Sequence, residues 1–137
     1  DQILLARGYI RKGMDMMLSN QNIEWRERCM ARAHELDMGI VIMKVMGQTL
    51  LGRGGSAIVP KYDEKQRAAL PGAAIRWVLQ DERVSMLNIG MSVPEDLESN
   101  LSISTGDTTL KEADNQLLAD YSTHVYDSEY VKSMRTV

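Results

Sequence analysis

Short apolar runs alternate along this chain with longer stretches in which apolar residues recur at helical spacing. The runs lie at residues 2–5, 40–43 and 86–89. The run at 40–43 is continuous rather than alternating, which is typical of a strand buried on both faces of a parallel sheet. Strands joined by helical crossovers lie parallel, so the pattern predicts an α/β fold with the order β-α-β-loop-α-β-α-α.

Two helices are predicted between these strands. From Ile23 a stripe of Trp25, Cys29, Ala33 and Leu36 predicts a buried face, with Cys29 packed as a small hydrophobic residue. Gly39 is expected to end this helix in a left-handed cap. A second helix is predicted over residues 71–80, with Pro71 at an early position. Its buried face is expected to comprise Pro71 and the residues three, four, seven and eight positions later, which are Ala74, Ile75, Val78 and Leu79. Residues 81–83 are interpreted as an exposed turn that follows that helix.

Two capping boxes predict the last helices. Ser92 and Glu95 form the first, just before a helix that begins at Pro94, and Thr109 and Glu112 form the second. From Ser122 onward the pattern is polar and weak. We therefore predict a folded part over residues 1–121 and a polar C-terminal tail over 122–137.

Composition narrows the class of protein. The length of 137 residues suits one domain or a piece of a larger one, and the net charge of -3 gives no basic field for nucleic acid. Ten methionines and no phenylalanine predict an adaptable core. The single cysteine excludes an internal disulfide and a cysteine-built metal site, and the lack of a long apolar run argues against a membrane span. With no signal-like segment, we expect a cytoplasmic protein that binds neither nucleic acid nor membranes.

The turns after the second and third strands are the candidate binding segments, because parallel α/β folds bind ligands at the carboxyl ends of their strands. Residues 90–92 (GMS) form one turn, whose alternative interpretation is a plain strand-to-helix connection. Residues 47–55 contain four glycines and Arg53. This loop either cradles a pyrophosphate or serves as a mobile linker, and its pattern matches neither the P-loop nor the dinucleotide fingerprint.

Three segments resemble the C-terminal part of the aldo/keto reductase family: residues 39–47 (GIVIMKVMG), 74–80 (AIRWVLQ) and 88–100 (NIGMSVPEDLESN). The resemblance covers nearly the whole chain. It implies the last three βα units of a (β/α)8 TIM-type barrel, from a family that transfers hydride between a nicotinamide cofactor and a small carbonyl substrate. The catalytic Asp, Tyr, Lys and His of that family lie in its first half, which has no counterpart here, so we assign no catalytic residue and expect the chain alone to be inactive.

The resemblance also implies a partial cofactor site. After the eighth family strand, Gly90 and Met91 stand where Lys and Ser are common, and Asp96 stands where an Arg grips the 2′-phosphate. A carboxylate there suits a free ribose hydroxyl, so we expect either a preference for NAD(H) over NADP(H) or impaired cofactor binding. The backbone N–H groups of Met91 and Ser92 are expected to hold a phosphate. The full predicted set, with no metal ligand, is Lys44, Met46, Gly90, Met91, Ser92, Asp96 and Asn100.

Two alternatives remain open. One branch of the family carries an iron–sulfur extension that opens with Tyr-Cys-x-x-Cys-x-x-Cys, and Tyr130, Val131, Met134 and Val137 fall at that spacing with all three cysteines absent. This match indicates either chance or a lost cluster. The chain as a whole is either a nicotinamide-dependent oxidoreductase segment or a non-catalytic interaction or regulatory protein, in which a barrel half forms an oligomer through its open sheet edges.

Overall fold

The computed structural model describes residues 1–10, 20–48, 50–52 and 54–134 of the chain. This part contains three strands, β1 (Gln2–Ala6), β2 (Gly39–Met43) and β3 (Met86–Asn88). It also contains six helices, which are α1 (Asn20–Glu35), α2 (Gly55–Ile58), α3 (Glu64–Leu79), α4 (Pro94–Thr105), α5 (Glu112–Tyr126) and α6 (Glu129–Met134). Arg53 of the candidate loop and Val137 of the iron–sulfur spacing lie outside the described residues.

The three strands form one sheet in the order β1-β2-β3, and both pairs are parallel. The α/β class and the parallel order predicted from the sequence are therefore confirmed. Register aligns Leu4 with Val41 and Val41 with Met86 across the sheet. Ile40 and Ile42 of the central strand are fully buried, as the continuous apolar run predicts.

The helices cover one face of the sheet. Ile40 and Ile42 belong to a single core cluster with Met30 of α1 and with Ile75 and Val78 of α3. Two successive crossovers of the same hand that run in one direction across a sheet place their helices on the same side, and parallel strands strongly prefer one hand, which accounts for this arrangement.

The opposite face of the sheet carries the row Leu4, Val41 and Met86, which lies outside that core cluster. Leu4 is 49% exposed and Met86 is 59% exposed, while Val41 between them is 8% exposed. None of the helices described above covers this row. β1 and β3 also pair on one side only within the described chain, so the sheet has two open edges.

Of the predicted apolar stripe, α1 buries only Ala33. Met30 and Ala33 are its buried residues, whereas Trp25, Cys29 and Leu36 are exposed. The prediction that Cys29 packs as a small buried hydrophobic residue is therefore wrong. Met30 and Ala33 belong to the core cluster, and Glu27, three residues before Met30, pairs with Arg83 at 2.9 Å on that side of the helix.

The turn after α1 uses an aspartate rather than the predicted glycine. Asp37 has φ 53°, and Gly39 is instead the first residue of β2. The N–H of Met38 donates to Ala33 O at 2.9 Å and that of Asp37 to His34 O at 3.0 Å. These two bonds form a Schellman motif, in which aspartate tolerates the left-handed conformation better than most residues.

Helix α3 begins seven residues before the predicted start. Asp63 caps it by accepting a hydrogen bond from the N–H of Gln66 at 2.9 Å, so Pro71 lies inside the helix rather than near its beginning. Around Pro71 the helix buries a nearly continuous set of residues, because α4 and α5 pack on the side away from the sheet. That set is Arg67, Leu70, Gly72, Ala73, Ala74, Ile75 and Val78.

Both predicted capping boxes are wrong in detail. α4 begins after Val93, and the carboxylate that accepts from the N–H of Ser92, at 3.1 Å, is that of Asp96 rather than the predicted Glu95. α5 begins after Lys111, whose N–H donates to Asp114 at 3.0 Å. Asp114 also receives two hydrogen bonds from Arg76, at 2.6 and 2.8 Å, which tie α5 to α3.

The predicted tail is largely helical. α5 runs through Ser122 to Tyr126, and α6 follows. Val125 and Val131 are fully buried, so this region contributes to the core although its sequence is mostly polar. The described helices include none that is long and apolar enough to cross a membrane.

A partly buried ionic network joins β1, α1 and the turn before β3. Asp81 accepts from Arg7 and from Arg83, the latter at 2.7 Å, and Arg83 also reaches Glu27 at 2.9 Å. Asp81 is therefore part of the network rather than an exposed exit, and its side chain is 12% exposed. Hydrogen bonds from Arg83, with the nearby Arg7 guanidinium, lower the pKa of Asp81 to about 2.

We expect Asp81→Asn to lower the free energy of unfolding by about 2 kcal/mol at neutral pH, since it leaves two arginines without their shared carboxylate. The folded pKa lies below the unfolded one, so this contribution is present above about pH 4 and is lost as the pH falls toward 2. Urea denaturation of both proteins at several pH values measures the difference.

Glu82→Gln is the matched control, because it removes an exposed carboxylate next to Asp81. Its unfolding free energy should stay within about 0.5 kcal/mol of the parent. A pH-independent difference between the Asp81 variant and the parent would contradict the assigned role of the carboxylate charge.

Candidate functional site

A crevice lies at the carboxyl ends of β2 and β3, where parallel α/β sheets bind ligands. It consists of two adjoining cavities of about 190 Å³ and about 350 Å³. The residues that line both are Met46, Gln48, Ile89 and Gly90. The smaller cavity extends toward α4, and the larger one lies over the last residues of the two strands.

The crevice brings together most of the residues predicted from the resemblance. Five of the seven line the smaller cavity, and Lys44 lines the larger one next to Met43 and Asn88. Met91 is exposed and lines neither of these two cavities. The five are Met46, Gly90, Ser92, Asp96 and Asn100.

The predicted phosphate contact at the start of α4 needs a correction. The N–H of Ser92 already donates to the carboxylate of Asp96 at 3.1 Å. A carboxylate of this chain thus occupies the position that an incoming anion would take at the helix N-terminus. The negative charge of Asp96 therefore disfavours binding of a phosphate at the Ser92 N–H.

The turn after β2 has an unusual backbone. Lys44 and Gln48 have φ 66°, and Gly47 between them has φ 54°. The Lys44 carbonyl lies close to Gly8, where an added Cβ would stand 2.6 Å from that oxygen. Left-handed lysine and glutamine are uncommon, and such conformations concentrate at binding sites.

Tyr121 of α5 holds the loop that forms one wall of the crevice. Its hydroxyl donates to Leu50 O at 2.8 Å, and both residues are fully buried. An added Cβ at Gly55 would stand 2.2 Å from Leu50 O and 2.4 Å from the Tyr121 hydroxyl, so this contact requires glycine at 55. Leu51 is fully buried as well, which means that the described part of the loop packs into the core rather than serving as a linker.

Sequence reasoning missed three residues that line the smaller cavity, Pro71, Ile89 and Ser99, whereas the lining residues Gln48, Gly52 and Gly54 belong to the predicted candidate loop at 47–55. Ile89 and Ser99 lie next to predicted residues and follow from strand and helix periodicity. Pro71 was assigned to a helix start, and its place beside the cavity depends on the longer α3. The roles of Tyr121 and Gly55 depend on a contact between residues 71 positions apart, and no local pattern signals it.

The lining has little acid–base capacity. Among the described lining residues, Asp96 is the ionisable group of the smaller cavity and Lys44 that of the larger one. The remainder are apolar, amide, hydroxyl or glycine residues, which suit binding of a polar organic ligand. Across the described residues, no group of three or more His, Cys, Asp or Glu side chains is placed to hold a metal ion.

The region matched to an iron–sulfur extension is helical where it is described. Val131, which stands at the first cysteine position of that pattern, is fully buried in α6. The Val131 side chain therefore packs in the hydrophobic core.

Comparison with known proteins found no match: no family model, no curated protein and no solved structure resembles this chain significantly.

We expect Tyr121→Phe to lower the free energy of unfolding by about 1–2 kcal/mol, because Leu50 O would stay buried without its donor. Burial raises the pKa of the Tyr121 hydroxyl, so the hydroxyl remains a donor across the neutral range. Chemical denaturation measures the loss, and amide hydrogen exchange at residues 50–58 should rise with it.

Tyr9→Phe is the control, since it removes a hydroxyl from a ring that packs edge-on against Trp77 of α3 at 5.5 Å. It should leave exchange at residues 50–58 unchanged. Equal effects of the two variants would contradict the anchoring role of Tyr121.

Proposed function

We propose that this chain supplies part of the nicotinamide-cofactor site of an aldo/keto-reductase-type oxidoreductase. The observation that carries the proposal is the convergence of Met46, Gly90, Ser92, Asp96 and Asn100 on one cavity. These residues come from two segments 44 or more positions apart, and all of them belong to the set that the family resemblance implies.

The sheet supports the barrel interpretation. A closed (β/α)8 barrel has helices outside, apolar strand residues inside and no free edge. The helices of this chain cover one face, the row Leu4, Val41 and Met86 occupies the other, and both edges are open. Three consecutive βα units of a barrel would have these properties.

The sizes of the two cavities indicate that each would enclose only one part of a dinucleotide. Sites that enclose a drug-sized ligand usually measure about 300–1,000 Å³. A cavity of about 190 Å³ suits one portion of a dinucleotide, with Asn100 near the base and Asp96 near the ribose. Lys44 in the adjoining cavity would lie toward the phosphates or the nicotinamide. When bound, the cofactor supplies the hydride, and the residues of this chain bind and orient it.

Asp96 favours NAD(H) over NADP(H). Its carboxylate already accepts from Ser92 and can accept from ribose hydroxyls, whereas it would repel a 2′-phosphate. The described lining of the crevice holds no general acid, so we propose binding rather than turnover for this chain alone.

We expect NAD⁺ to bind the chain more tightly than NADP⁺ in a calorimetric titration. Asp96→Asn should narrow the preference by about tenfold, because it removes a negative charge from the 2′ position. In ¹H–¹⁵N spectra, NAD⁺ should shift the amide signals of Gly90, Ser92 and Asn100.

The control is Asp127→Asn, which removes an exposed carboxylate at the end of α5, outside the crevice. It should leave both affinities unchanged. Tighter binding of NADP⁺ by the parent protein, or shifts confined to residues outside the crevice, would contradict the proposal.

The second candidate function is a non-catalytic interaction protein. The open edges of β1 and β3 and the uncovered sheet row favour it, since such surfaces are usually covered by another segment or chain. A chain that fails to bind either dinucleotide yet forms a defined oligomer would support this function over the first.

A further inference from the structure

Three non-glycine residues of the described chain have a left-handed backbone. Asp37 has φ 53°, and Lys44 and Gln48 both have φ 66°. This conformation is unfavourable for residues with a side chain, and least so for aspartate and asparagine. The turn that ends α1 accounts for Asp37, whereas a lysine and a glutamine in the same conformation indicate a requirement for those two side chains.

The turn at residues 44–48 is held in place by its surroundings. Its middle residues 45–47 are buried, while Lys44 and Gln48 at its ends are exposed. The N–H of Gly47 donates to Lys44 O at 2.9 Å, and the same carbonyl lies against Gly8, where an added Cβ would clash. The fold thus fixes the strained backbone, and the two exposed side chains line the crevice.

Lys44 and Gln48 supply the hydrogen-bond donors that a phosphate group needs. A lysine ammonium group carries a full positive charge and three donors, and a glutamine amide carries two donors. Among the described residues, no carboxylate forms an ion pair with Lys44. Gln48 lines both cavities, so its amide lies within the same crevice as the ammonium group.

The charges of the crevice separate along its length. The carboxylate of Asp96 lines the smaller cavity and accepts from the Ser92 N–H, which disfavours an anion at the start of α4. The ammonium group of Lys44 lies in the larger cavity. A ligand with an uncharged, hydroxyl-bearing end and a phosphate end would match this polarity in one orientation.

We propose that the turn at residues 44–48 binds the phosphate of the ligand, with Lys44 contacting its charge and Gln48 donating a hydrogen bond to it. The left-handed backbone is retained because glycine at either position would relieve the strain but remove the binding group. That the phosphate belongs to a dinucleotide rests on the proposed function. The phosphate chemistry itself is common to a nucleotide and to free pyrophosphate.

Lys44→Gly separates a ligand contact from a structural role, because it removes the side chain and relieves the backbone together. The variant should unfold at the same urea concentration as the parent or a higher one. Its affinity for NAD⁺ should fall by about tenfold, while its affinity for adenosine, which lacks phosphate, should stay within about twofold. A merely structural role would instead lower stability and both affinities together.

Two matched controls distinguish strain from charge. Asp37→Gly relieves a left-handed residue before β2, at the opposite end of that strand from Lys44. Lys65→Gln removes an exposed lysine that lines the groove between α3 and α5. Both should bind NAD⁺ as the parent does, and Lys44→Arg, which keeps the charge, should retain the parent affinity within about threefold.

Inorganic pyrophosphate tests the phosphate contact without the dinucleotide. It should shift the amide signals of residues 44–48 in ¹H–¹⁵N spectra of the parent protein, and these shifts should be absent in Lys44→Gly. A parent that responds in this way but binds neither dinucleotide contradicts the proposed function and supports the turn as a site for free pyrophosphate.

The inference is overturned, and the proposed function stands, if Lys44→Gly binds NAD⁺ as tightly as the parent does. A parent protein whose signals at residues 44–48 respond to neither pyrophosphate nor NAD⁺ overturns the inference as well.

Discussion

The right-handed crossover between parallel strands is the constraint on which this structure depends. With the strand order β1-β2-β3, two such crossovers place α1 and α3 on one face of the sheet. Ile40 and Ile42 are buried beneath these helices, and Val41 points to the other face. The same constraint leaves one face and two edges open and gathers the strand-end turns at one edge of the sheet. The crevice at the strand ends and the open edges of β1 and β3 both follow from this topology.

Contacts distant in sequence determine the shape of the crevice. Tyr121 holds Leu50 from the far side of the fold, and Gly55 allows the approach because it lacks a side chain. The ion pair of Arg76 with Asp114 keeps α5 against α3 and so keeps Tyr121 in place. One wall of the crevice therefore depends on α5, although no residue of α5 lines either cavity.

Sequence reasoning succeeded where one local pattern determines the outcome. The continuous run 40–43 predicted a buried central strand, and the strand-end turns predicted where the crevice lies. It failed where tertiary contacts override a local signal. Trp25 and Cys29 belong to a regular apolar stripe, yet both are exposed, because α1 packs on the core through Met30 and Ala33. The capping box predicted Glu95 as the partner of the Ser92 backbone, but Asp96, one residue further along, accepts from the Ser92 N–H instead. The tail prediction overlooked Val125 and Val131 because two isolated valines do not form a visible period.

The left-handed turn at Lys44, Gly47 and Gln48 has a thermodynamic consequence for recognition. A flexible segment that captures a small molecule must lose its freedom at that moment, and the loss weakens affinity. Here the core holds the segment on both sides, through buried Val45 and Leu50, so its ordering is completed during folding. A molecule arriving at this turn would meet a preorganised surface, and changes to the distant core would alter its affinity without altering any group that touches it.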